Sequence, residues 1–104
     1  MNSQRRIKVT LYIIMELHDK KTNAFLQEAY TEANFYFTLP NVLVDAEPEV
    51  LVTDQMIHTR LSDFFEKQES LSQLKAKYPT LPDFYIGKGR MATEKSFLKM
   101  LEIE

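Results

Sequence analysis

The sequence predicts a small α+β domain: an antiparallel sheet of about four strands with two or three helices packed on one face. Three observations carry that prediction. Residues 8 to 17 alternate, with Val9, Leu11, Ile13, Met15 and Leu17 on one side and Lys8, Thr10, Tyr12, Ile14 and Glu16 on the other. That is the period of a strand with one well-buried face. From Asp54 the period becomes helical, with Ile57, Leu61, Phe64, Phe65, Leu71, Leu74 and Tyr78 on one stripe. The length, 104 residues, suits one domain that buries a single core.

Taken in order, residues 1 to 5 are polar and read as frayed. The first strand follows, ended by the polar break "HDKKTN". Residues 23 to 33 fit two patterns. Thr22 or Asn23 could cap a helix carrying Phe25, Leu26, Ala29, Tyr30 and Ala33 on one face, or the segment could pair with the first strand as a hairpin. Its Ala, Leu, Gln and Glu content favours a short helix over 23–32. "NFYFTL" then reads as a strand stopped at Pro40.

"NVLVDAEPEVLVTD" carries two Val-Leu-Val triplets, each strand-like, around a turn in which Pro48 restricts Glu47. The triplets form a hairpin, or only the second joins the main sheet. The stripe from Ile57 predicts a helix over 55–77, capped by Thr53 or Asp54, with a break near Glu69–Ser72. Pro79 ends it by disfavouring helical geometry at Tyr78. "FYIG" reads as a short strand. Phe97, Leu98 and Leu101 share one face of a last helix expected over 92–102. The order that results is βαββαβ plus a C-terminal helix, the ferredoxin-like arrangement. The alternative is a meander of four or five strands with two helices on one face.

Composition narrows the function classes. There is no cysteine, which removes disulfides, thiolate metal sites and cysteine nucleophiles and is compatible with a reducing compartment. The net charge of −2 provides no global field for nucleic acid or an anionic membrane. The longest apolar run, "LYIIM", is far too short to span a bilayer, and Glu16 interrupts any likeness to a signal peptide. A cytoplasmic location is expected.

The stretch "FYIGKGRMATEKSF" holds both glycines of the chain, Gly87 and Gly89, around Lys88 and before Arg90. A strand, a glycine turn and a helix start are the parts of an anion site. Gly87, Lys88, Gly89 and Arg90 are therefore the candidate anion-binding residues, with Lys95 beyond them. The stretch fails as a P-loop, because Glu94 stands where the second glycine belongs, and as a dinucleotide fingerprint, because Ala92 replaces the third. The simpler alternative is a tight strand exit in which the glycines supply positive φ.

Tyr85 and Tyr12 near basic residues could stack bases, yet the RNA-recognition strand signature is absent. His18 and His58 lie forty residues apart, without a partner at metal-ligand spacing. Glu16, His18 and Asp19 could meet a metal only as a strand-end cluster. Asp45, Glu47, Glu49 and Asp54 lack the glycine turn and terminal glutamate of a calcium loop. No serine sits in a nucleophile elbow.

These observations lead to the expectation of a non-catalytic binding or regulatory protein without cofactor or metal. Its partners would be another protein or further copies of itself, with no membrane and with nucleic acid disfavoured but left open. The alternative is a binder of phosphorylated ligands or nucleic-acid backbone through Gly87–Arg90 and the start of the last helix.

Overall fold

A computed structural model describes residues 4–40 and 46–103 of the chain. A four-stranded antiparallel sheet is built around one long central strand, β1 (Gln4–Asp19). β2 (Phe25–Pro40) pairs with β1 along its whole length, from Gln4 opposite Pro40 to His18 opposite Phe25. The other side of β1 is shared. β3 (Phe84–Met91) covers its C-terminal half, and β4 (Lys99–Ile103) covers Arg6–Thr10. Between β2 and β3 come α1 (Pro48–Leu51), α2 (Asp54–Glu66) and α3 (Leu71–Lys77). A 3-10 turn, Lys95–Phe97, lies between β3 and β4.

The α+β class and the antiparallel sheet are as the sequence predicts; the βαββαβ order is not the one adopted. The helix expected over 23–32 is the first half of β2. Thr22 and Asn23 belong to the hairpin turn instead: Asn23 has φ of 62° and donates to the Asp19 carbonyl at 2.8 Å. Pairing with β1 outweighs the helix propensity of Ala, Gln and Glu. The helix expected over 92–102 is also absent. Without β4 the N-terminal half of β1 would leave a row of edge N–H and C=O groups open.

The second Val-Leu-Val triplet enters helix α1, opened by Pro48 at its first turn, rather than a strand. The first triplet, 42–44, lies outside the described residues, as do Asp45 and the first three of the residues expected to fray. The other two, Gln4 and Arg5, are in β1. The 55–77 helix breaks where expected. Gln68 and Ser70 take positive φ, which swings α3 so that Leu74 also reaches the core.

The core lies on one face of the sheet only. Ile7, Val9, Leu11, Ile13, Met15 and Leu17 are completely buried there, with Ala29, Phe35 and Phe37 from β2 and Phe84 and Ile86 from β3. Ile57, Leu61, Phe64 and Leu74 close it from the helical layer. Thr53 caps α2, its hydroxyl accepting from Met56 N–H at 3.2 Å. Arg5 ties the end of the sheet together. Its guanidinium grips Glu102 of β4 at 2.6 and 3.0 Å and donates to the Ala46 carbonyl ahead of α1.

Candidate functional site

Helices cover one face of the sheet; no described helix covers the other. Strand alternation decides what that open face carries. β1 contributes Arg6, Lys8, Thr10, Tyr12, Ile14, Glu16 and His18. Register places Tyr36 opposite Lys8, Asn34 opposite Thr10, Glu32 opposite Tyr12, Tyr30 opposite Ile14 and Glu28 opposite Glu16. From the other side come Leu101 opposite Lys8, Lys99 opposite Thr10 and Arg90 opposite Ile14.

The large exposed apolar side chains concentrate on this face. Tyr12, Tyr30 and Tyr36 are 55%, 61% and 51% exposed, and Phe25 and Leu101 join them. Phe97 borders the face, sharing a groove with Lys8, Tyr12, Glu32 and Lys99. Among the described large hydrophobics that are exposed, Val50 alone lies elsewhere. A folded domain normally scatters such residues; here five share one surface, with a sixth at its border.

The hairpin end of the face is fixed by His18. Its ring stacks on Tyr85 at 5.7 Å and meets the edge of Phe25 at 5.9 Å. Nδ1 lies 3.1 Å from the Asn23 carbonyl and Nε2 3.2 Å from Glu16. Both neighbours are acceptors, so either tautomer finds a partner for its N–H. Asp19 is turned to the hairpin loop, where it accepts from Lys21 and Thr22 N–H. No group of three metal-ligating residues gathers among the described residues.

The four candidate anion-binding residues lie in β3, not in a turn before a helix. Neither glycine has positive φ. Gly87 leaves room for the His18 ring on the open face and Gly89 for Phe65 on the helical face. Gly87 and Lys88 form a bulge opposite Glu16, which brings Lys88 onto the open face. There Lys88, Gly89 and Arg90 line a groove of about 280 Å³ with Ile14, Glu16 and Glu28. The basic pair is therefore together, but two carboxylates share its groove and oppose a phosphate. The helix N-terminus that would have completed an anion site is missing.

A second hollow, about 500 Å³, opens between α2 and the strand after Gly89, lined by His58, Ser62, Phe65, Arg90, Thr93 and Glu94 among others. His58 is exposed at its rim. The sequence flagged Tyr12 but missed Tyr30 and Tyr36, whose place beside it depends on a strand pairing that composition does not reveal. No described helix is long and apolar enough to cross a membrane.

Compared with protein-family models, with curated proteins and with solved structures, the chain matches none.

Proposed function

We propose that this chain is a non-catalytic binding module that acts through protein–protein contact on the open face of its sheet. The observation that carries the proposal is the gathering of Tyr12, Phe25, Tyr30, Tyr36 and Leu101 on one uncovered surface. Tyrosine suits such a surface, offering a large apolar ring and a hydroxyl that tolerates water in the free state. The charges around these rings are of both signs, which suits a protein partner better than a polyanion. A cytoplasmic location belongs to the same reading and is supported by the cysteine-free sequence.

Photo-cross-linking from single positions tests this. A benzophenone side chain would replace Tyr30 or Tyr36 on the open face, and Thr59 or Glu66 on the exposed side of α2. Protein adducts from the first pair and none from the second are expected. Adducts from the helix positions alone, or nucleic-acid adducts from the sheet positions, would overturn the proposal.

A further inference from the structure

We propose that the occupant of the open face is a second copy of this chain, packed face to face about a two-fold axis running along β1. This rests on the reading of that face as a protein-binding surface. It adds an identity for the partner, drawn from how charge is distributed across the sheet.

The segregation is lateral. β2 contains Glu28 and Glu32 on the open face and no Lys or Arg anywhere along its length. β3 contains Lys88 and Arg90 and no acid. In β4, Lys99 faces outward while Glu102 is held on the other side by Arg5. One edge of the face is thus acidic and the other basic. None of Glu28, Glu32, Lys88, Arg90 or Lys99 takes part in an ion pair among the described residues.

A two-fold axis lying in the interface along β1 turns the face over and lays β2 of each copy on β3 and β4 of the other. Residues that flank the same β1 position then come into one another's neighbourhood. Tyr30 and Arg90 both flank Ile14, Tyr36 and Leu101 both flank Lys8, and Phe25 and Tyr85 both flank His18. Glu28 and the bulge at Lys88 both flank Glu16. Each combination is complementary: ring on guanidinium, ring on alkyl, ring on ring, acid on base. The acidic edge meets the basic edge twice, once on each side of the axis, as an isologous contact requires.

Tyr12 and Ile14 fall at the axis against their own copies. Lys8 and Glu16 would face like charges in a parallel stack. Aligned sheets cross at about 30°, which carries residues four positions from the centre apart by roughly 7 Å. That separates the Tyr36–Leu101 and Glu28–Lys88 combinations along with the like charges, and Phe25–Tyr85 further still, so the closest contacts are those around Tyr12 and Ile14, with Tyr30 beside Arg90.

The contact is small. Three strands spaced about 4.8 Å apart make a strip about 14 Å wide, and two such strips crossing at about 30° overlap over roughly 400 Å² per copy, about half of one side of a standard specific interface, as suits a weak and concentration-dependent association. Single-stranded nucleic acid could use the same rings, but it would run against Glu16, Glu28 and Glu32.

The test is sedimentation velocity on the full chain from about 1 to 100 μM, the range in which interfaces of this size and polarity associate. A concentration-dependent dimer that salt weakens is expected. Two double variants follow: Glu28→Lys with Glu32→Lys, and Lys88→Glu with Arg90→Glu. All four positions are exposed or at the sheet edge, so both variants should fold, and circular dichroism checks that. Each alone should weaken dimerisation by about tenfold or more, and an equimolar mixture should restore a dimer, because every reversed charge then meets its opposite. A monomer throughout, a dimer indifferent to both variants, as edge-to-edge pairing of β2 would give, or a mixture that stays monomeric would each overturn the proposal. A monomer whose sheet positions cross-link to a different protein would refute the second copy and leave the wider function standing. Absence of both would refute the two together.

Discussion

Phe65 and Gly89 meet so closely between α2 and β3 that a β-carbon on Gly89 would stand 2.1 Å from Phe65 Cζ. Gly87 makes the matching approach on the opposite face, where the same atom would lie 2.6 Å from His18 Cδ2. The two glycines of the chain therefore serve ring packing on the two sides of one strand. Gly89→Ala should destabilise the fold by about 1–3 kcal/mol, because Phe65 must leave its seat against the sheet. Urea denaturation measures this, and the cost should shrink in a Phe65→Ala background if the contact is its source.

Gln68 seals an edge. From the break between α2 and α3, its side-chain amide donates to the Ile86 carbonyl at 2.8 Å and accepts from Ile86 N–H at 2.7 Å, as a neighbouring strand would. It also donates to the Phe65 carbonyl at 2.9 Å. Gln68→Ala should cost about 1–3 kcal/mol through the groups left unpaired. Gln68→Asn keeps the amide and tolerates positive φ but lacks reach, so denaturation should show little rescue. Full stability in the alanine variant would remove this role.

Acid should loosen both ends of the sheet. The Arg5 hydrogen bond holds the Glu102 carboxyl below its ordinary range against a smaller opposing effect of desolvation. Lys75, by hydrogen bond and charge, does the same to Asp83 at the start of β3. A carboxyl whose folded value is depressed stabilises fully above its unfolded value and loses that contribution as pH falls through the folded one. Stability should therefore decline from about pH 5 toward about pH 3. In Glu102→Gln the decline should be shallower, as read from urea midpoints across that range; an unchanged slope would show that the pair does not govern it.

The rings of the open face should matter little to folding. Tyr12→Ser, Tyr30→Ser and Tyr36→Ser should each change stability by no more than about 1 kcal/mol, since only cross-strand contacts are lost. Ile57→Ala, which empties a fully buried site, should cost about 2–5 kcal/mol. Thermal and urea unfolding of the four variants would show whether the tyrosines are retained for something other than the fold.

The sequence made β1 and α2 legible because both carry strong periodic patterns that end in the core. The break at Gln68–Ser70 was legible too, as a polar interruption in the helical stripe. Residues 25–33 misled because their inward positions, Gln27, Ala29, Thr31 and Ala33, are small or polar and mask the alternation. What makes them a strand is sixteen-residue β1, which needs a partner over its full length. Residues 99–103 follow the same logic at the other edge. The Gly87–Arg90 stretch resembled a turn since glycine scarcity drew the eye to backbone freedom, whereas the glycines there answer to the rings of His18 and Phe65. Tyr30 and Tyr36 join Tyr12 only through the hairpin register, which no local pattern announces.

The most direct measurement is NMR of the tyrosine ring signals in the presence of a soluble nitroxide, which broadens what solvent can reach. In dilute protein the rings of Tyr12, Tyr30 and Tyr36 should broaden strongly. In concentrated protein they should be protected while exposed residues of α2 such as Thr59 stay accessible, because the sheet face is what becomes covered. Rings that remain equally broadened at every concentration, or protection that appears on α2 instead, would contradict a self-associating open face.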